Sequence, residues 1–385
     1  MSRRLVLLTE IISPYRIPLF NTLARRSEVN LHVIFLSETD PSLRQWQVYK
    51  DEIQFSYEVL PSVRKRMAGF NMLLNRGVSQ ALGRAGPDVI LCGGYSYVAS
   101  WSTLFWAKSH DVPLILWSES NVQDSRRGHS VVELLKSLFL KRCDRFVVPG
   151  RSARQYLVSH GIQDGVVYTA PNAVDNILFA NAAQLACNNA PVMRQRLQLP
   201  GRYFLFVGRL VPEKGAFELL SAYAKLDERL RTLVGLVLVG DGPAKPALEA
   251  QAAKIASGRV IFAGFAQREQ LPAYYALAEM LILPTYTDTW GLVVNEGMAC
   301  GLPVVLSRAA GCADDLVEEN WNGVLIPPKD EPALAAAMER LATQNDIRVK
   351  MSANSRERIA HYSPERWANG VVQAVGESLG MAAHD

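Results

Sequence analysis

FLFVGRLVPEKGAFELL (204–220) is an apolar run of strand length that closes at Gly208, a loop that carries Arg209 and Lys214, and then a segment of helical character. The same grammar recurs downstream in LVLVGDG (236–242), VIFAGF (260–265), MLILP (280–284), LPVVLS (302–307) and VLIP (324–327). Each run ends in Gly, Pro or a polar residue, as a strand does where it gives way to a loop. Upstream, the apolar runs are Leu5–Leu8, Leu31–Leu36, Val89–Cys92, Leu114–Trp117, Phe146–Val148 and Val166–Tyr168. Between them Val131, Leu134, Leu135 and Leu138 recur at the spacing of an amphipathic helix, and Ser13-Pro14 reads as a helix cap with a first-turn proline. Strand runs alternating with helical segments predict βαβ units and parallel sheets, so the expected class is α/β.

A chain of 385 residues exceeds what one core usually holds, and two Rossmann-like parallel-sheet domains facing each other across a cleft are expected. The boundaries read as 1–173 for an acceptor-binding domain, 174–200 for a linker rich in Asn and Ala, and 201–362 for a nucleotide-sugar-binding domain. Residues 363–385 read as a C-terminal helix that crosses back to the first domain.

The five cysteines, Cys92, Cys143, Cys187, Cys300 and Cys312, are odd in number and lack CxxC or Cys/His spacing, which reads as reduced thiols of a cytosolic protein. No h-region or cleavage site precedes the first strand run, and a cytoplasmic chain is expected. Val89–Ala107 carries no formal charge, but Gly93, Gly94, Tyr95 and Ser96 interrupt it, so strand, turn and helix explain it better than a membrane span. Charge is uneven. Residues 1–170 hold 21 Lys and Arg against 14 Asp and Glu, whereas the rest hold 20 against 23. The basic half reads either as a solvated surface or as one that meets an anionic membrane or substrate.

Two clusters carry the chemistry. In the first, Arg209 and Lys214 follow a strand's carboxyl end, where two cations suit a diphosphate leaving group; a solvated Arg and a Lys paired with Glu213 is the plainer alternative. In the second, PTYTDTWGLVVNEGMACGLPVV (284–305), a loop carries Asp288 and Gly291 opens a helix. The free amides of that helix, near Leu292 and Val293, suit phosphate oxygens. Glu296, in an otherwise apolar run, is expected to be buried with a partner and to accept hydrogen bonds from ribose hydroxyls.

VGRLVPEKG, LVGDGP, FAGF, the segment from Asp288 to Glu296, MACGLPVV, PNAVD (171–175) and NGVLIPPKD (322–330) resemble, in order and spacing, the donor domain of the retaining family-4 glycosyltransferases of GT-B fold. The resemblance covers about residues 165–365 and is weaker before that. It implies that Arg209 and Lys214, with the Gly208 turn, hold the donor diphosphate and Glu296 the ribose, that Gly264 and Phe265 meet the base through their backbones, and that Asp288 meets a hydroxyl of the sugar. It implies neither metal nor cofactor, and here two cations supply the charge that Mg²⁺ otherwise would.

The chain departs from the family where Asp288 replaces a glutamate and where TEIISPYRIP and WSESN stand in place of a glycine-rich loop and a histidine. Ser13 and Arg16 read as acceptor or anion contacts, or as a cap and a surface cation. Glu119 or Ser118 stands where the histidine would be; Glu119 is a candidate catalytic group with Arg209, Lys214 and Asp288, and Glu119, Gly94, Tyr95 and Asn121 are candidate acceptor-side groups. The implied activity is retaining transfer of a hexose from a UDP- or GDP-sugar to a glycan or glycolipid, as in envelope polysaccharide assembly. An epimerase or phosphorylase on the same fold, or a non-catalytic partner subunit, is the alternative. No GxGxxG follows either first strand, against a dehydrogenase, and no nucleic-acid partner is expected. The stretches 63–77 and 125–143 mix Arg and Lys with Phe, Met and Leu. They read as core-facing amphipathic helices, or as a surface peripheral on the inner face of the membrane, for which a lipid-linked saccharide is the natural acceptor.

Overall fold

The computed structural model describes residues 2–40, 45–67, 70–121 and 130–380. The chain divides into two compact units, Met1–Asn172 with Pro364–Asp385, and Ala173–Ser363.

The first unit contains strands β1 (Arg3–Thr9), β2 (Val29–Phe35), β3 (Ser56–Val59), β4 (Ser62–Met67), β5 (Phe70–Asn75), β6 (Val89–Gly93), β7 (Leu114–Trp117), β8 (Arg145–Val148) and β9 (Val167–Thr169). Seven of them form a parallel sheet in the order β3-β2-β1-β6-β7-β8-β9. Its inner strands β1, β6, β7 and β8 are buried on both faces, which is why they read as continuous apolar runs. Along β1, Leu5 and Leu7 enter one core layer while Val6 and Leu8 enter the other. The helix Pro364–Ser378 belongs to the layer of Leu5 and Leu7, where its fully buried Trp367 meets Phe20 and Trp117 at ring-centroid distances of 5.7 and 5.3 Å.

The second unit contains β10 (Tyr203–Val207), β11 (Gly235–Val239), β12 (Val260–Gly264), β13 (Met280–Leu283), β14 (Val304–Ser307) and β15 (Gly323–Ile326), all parallel, in the order β12-β11-β10-β13-β14-β15. In both sheets the strand order reverses beside the first strand, between β1 and β6 and between β10 and β13. At such a reversal the loops leave in opposite directions and open a crevice beyond the carboxyl ends of the strands.

Four local readings are corrected. The segment 174–200, read as a linker, forms the helices Asn176–Asn188 and Ala190–Arg196; Asp175 caps the first by accepting the Leu178 amide at 2.9 Å, and Phe179 and Ala183 enter the second unit's core. Alanine's helix propensity and that cap outweigh the Asn content. Ser13 is not a helix cap: its carbonyl accepts the Arg16 amide in a turn, with Pro14 as the second turn residue, and the helix Ile17–Ala24 takes Pro18 in its first turn.

The stretch 63–77 forms not an amphipathic helix but the antiparallel β4–β5 hairpin, with Arg64 opposite Leu73 and with Val63, Met72 and Leu74 exposed; its residues 68–69 lie outside the described residues, as do 125–129 of the other basic stretch. There the helix Ser130–Leu140 buries Phe139 and Leu140 and leaves Val132, Leu134, Leu135 and Leu138 exposed. Its Lys136 points inward, 4.4 Å from the Tyr156 ring centre, and pairs at 3.3 Å with the more exposed Glu133. Among the described residues no helix is long and apolar enough to cross a membrane.

Candidate functional site

In the second unit, four loops leave the carboxyl ends of β10 to β13, and glycines let them approach one another. A Cβ on Gly215, whose φ is +72°, would lie 2.1 Å from the Pro284 carbonyl oxygen, and one on Gly240 would lie 1.9 Å from that of Gly208. Only glycine fits either place. The Glu213 carbonyl accepts the Thr285 hydroxyl at 2.9 Å and the Tyr286 amide at 2.8 Å, so the loop after β10 is tied to the loop after β13.

This tie brings Lys214 and Asp288 together: the Lys214 ammonium donates to Asp288 Oδ2. The pairing of Lys214 with Glu213 is not formed. Arg209 is exposed and holds no side-chain partner among the described residues. Gly208 and Arg209 stand at the mouth of β10. Gly264 closes β12 with φ +77° and gives its carbonyl to the Gly240 amide at 2.8 Å; Phe265 beside it is exposed.

The loop after β13 is anchored by buried Trp290, whose Nε1 donates to Asn295 Oδ1 at 2.8 Å. Gly291, at φ +97°, turns the chain into the helix Leu292–Ala299. Its carbonyl takes the Val294 amide at 2.9 Å, and the amides of Leu292 and Val293 remain at the helix start, where the backbone dipoles favour an anion. Glu296 lies further along this helix and accepts the Tyr275 hydroxyl at 2.7 Å. Burial pushes its carboxyl up to about 7, against the opposing pull of that hydrogen bond. Sequence reasoning missed Tyr275, since nothing in LPAYYALAEM marks one tyrosine as a carboxylate partner.

In the first unit a second constellation gathers beyond β1 and β7. Arg16 is not a surface cation: it lies 4.4 Å above the Trp117 ring centre, donates to Thr9 Oγ1 at 2.8 Å and pairs with Glu119 Oε2 at 3.2 Å. The other oxygen of Glu119 accepts Asn172 Nδ2 at 3.0 Å. The unusual SPYR and WSESN segments therefore meet each other and the PNAVD segment. Ser13, Ser118 and Asn121 are buried. Gly94, at φ +94°, gives its amide to the Trp117 carbonyl at 3.1 Å, and the half-buried Tyr95 hydroxyl lies 3.2 Å from Ser120 Oγ. Among the described residues no group of three or more His, Cys, Asp or Glu is placed to hold a metal ion.

Comparison with known proteins matches residues 192–358 to the glycosyl transferases group 1 and residues 19–176 to glycosyltransferase family 4. The alpha-D-kanosaminyltransferase of Streptomyces kanamyceticus is 28% identical over 273 residues, which cover 69% of this chain and 70% of the relative. A D-inositol 3-phosphate glycosyltransferase of Salinispora arenicola is 30% identical over 217 residues, 54% of this chain and 48% of the relative, so the likeness spans about half of that protein. In fold, the chain is similar to Anabaena HepE in complex with UDP, with a TM-score of 0.76, 18% identity and coverage of 98% of this chain and 100% of that one.

Proposed function

The chain belongs to the family-4 glycosyltransferases of GT-B fold, and from that premise we propose that it transfers a hexose, with retention, from a UDP- or GDP-linked sugar to a hydroxyl of a glycan or glycolipid. The observation that carries this is the set of groups on the segments after β10 and β13, the neighbouring strands at which the order reverses: Arg209, Lys214 with Asp288, the helix start at Gly291, and Glu296. A diphosphate bound there meets two cations and two backbone amides, and the leaving phosphate gains its charge beside them. Glu296 accepts the ribose hydroxyls, Gly264 and Phe265 meet the base, and Asp288 meets the transferred sugar. The UDP in the Anabaena structure of like fold supports a nucleoside-diphosphate donor. The charge supplied by Arg209 and Lys214 makes the transfer metal-independent, so activity persists in chelator.

The acceptor is taken by the first unit. Arg16 and Asn172 hold the two oxygens of Glu119 in place, which supports a role for this carboxylate in positioning an acceptor. The exposed Val132, Leu134, Leu135 and Leu138 with exposed Lys141 and Arg142 support a peripheral seat on an anionic membrane, and hence a lipid-linked saccharide acceptor.

Donor hydrolysis and transfer by Lys214→Ala and Glu296→Ala test the assignment, and full activity in both variants refutes it. For the membrane seat, flotation with vesicles containing phosphatidylglycerol is the test: wild type floats and a Leu134→Glu, Leu135→Glu variant does not, while a wild type that stays at the bottom removes that part of the reading.

A further inference from the structure

Lys214 and Asp288 meet inside the site proposed for the donor diphosphate, and the role assigned to their contact rests on that reading. Both side chains are largely withdrawn from water, with 22% and 15% of their surface exposed, so their attraction is less screened than that of a surface pair. The two cations assigned to the diphosphate are thus unequal: Arg209 is exposed and unpaired among the described residues, while Lys214 is already neutralised.

The same carboxylate also sits against the helix start. Its Oδ2 is 3.7 Å from where a Cβ on Gly291 would be, and its Oδ1 is 3.4 Å from the Trp290 amide. Asp288 therefore already holds the ammonium that a phosphate would use and lies close to the amino end of the helix, whose dipole a phosphate would also use.

A bare diphosphate brings acceptors and negative charge but no donor. In taking Lys214 it leaves a half-buried carboxylate without its cation and with a like charge beside it. A sugar on the terminal phosphate brings hydroxyl donors that can hydrogen-bond to the carboxylate as the ammonium leaves it. We propose that Asp288 is a specificity-determining residue of the donor site: by holding Lys214 it weakens the binding of a bare diphosphate relative to one that bears a sugar. The spent nucleotide then leaves more readily than it would from a site without the carboxylate.

Calorimetric titration of the full chain with pyrophosphate, UDP and GDP tests this in wild type, Asp288→Asn, Asp288→Ala, Lys214→Ala and the Asp288→Ala, Lys214→Ala double variant. Asn keeps the size of the side chain, so a folding defect confined to the alanine variant does not block the test. The expected result is roughly five- to tenfold tighter binding in both Asp288 variants, with the gain absent when Lys214 is also removed. Unchanged or weaker binding in the Asp288 variants, with Lys214→Ala still weakening it, overturns the proposal and leaves the diphosphate reading standing. If none of the three probes binds wild type or the Asp288 variants, or if Lys214→Ala has no effect, the reading of the site falls and the proposal falls with it.

Discussion

Protonation of Glu296 provides a quantitative handle on the proposed donor site. Burial raises its carboxyl from 4.5 to about 7, which corresponds to roughly 3 kcal/mol against the charged form. The sign is fixed by linkage: the folded carboxyl holds its proton more tightly than the unfolded one. Its contribution to stability is present in full below about pH 4.5 and is lost as the pH rises through about 7. Glu296→Gln should therefore gain on wild type above pH 7. Ligand binding runs the other way. On the proposed reading Glu296 accepts two ribose hydroxyls as a carboxylate, so a nucleotide is expected to expel the proton.

With a free value of about 7 and full ionisation in the complex, the fraction ready to bind falls about 25-fold from pH 7.5 to 5.5, or about 2 kcal/mol of affinity. A phosphate group titrates near pH 6 in the same window, so the Gln variant in identical buffers supplies the reference. Calorimetry with UDP or GDP in buffers of different ionisation enthalpy should show proton release near pH 6.5 in wild type and less in Glu296→Gln. Tyr275→Phe removes the hydroxyl that opposes the upward shift and should move the transition to higher pH. The same pH dependence and proton count in wild type and Glu296→Gln would refute the reasoning.

Gly215→Ala puts a methyl 2.1 Å from the Pro284 carbonyl oxygen at a left-handed φ, and should cost roughly 2–4 kcal/mol in thermal or denaturant unfolding while weakening nucleotide binding by displacing the loop that presents Lys214. Arg16→Met removes the cation from Glu119 and should cost roughly 1–3 kcal/mol of stability; if Arg16 serves only the acceptor side, transfer falls while UDP or GDP affinity, read by calorimetry, is unchanged. Trp367→Ala empties a fully buried position between Phe20 and Trp117 and should cost roughly 3–5 kcal/mol, lowering the melting temperature without altering nucleotide affinity at temperatures where the chain stays folded.

How far such features can be read in advance depends on whether their cause is local. The strands of the second unit follow the apolar runs closely, MLILP becoming β13 at Met280–Leu283, because a strand buried on both faces must be continuously apolar and must stop at a residue that can leave the sheet. The edge strand β3 carries no such signature: with one neighbour only, it leaves Tyr57 and Val59 partly in water. Between Ser130 and Leu140 the periodicity reveals an amphipathic helix but not which side meets the core, and Phe139 and Leu140 turn the leucine side outward. The candidate site divides in the same way. Gly291, Asp288 and Glu296 can be named from one continuous segment, and Arg209 and Lys214 from another, but contacts between segments are invisible in either. Glu213 adjoins Lys214 in sequence, yet consecutive residues on the short helical turn Pro212–Lys214 point apart. Asp288, 74 positions away, reaches the ammonium because β10 and β13 run side by side and Gly215 lets the loop after β10 pass under Pro284. The charge state of the site is therefore set by strand order, and the residue which neutralises Lys214 can be changed without touching the loop that presents it.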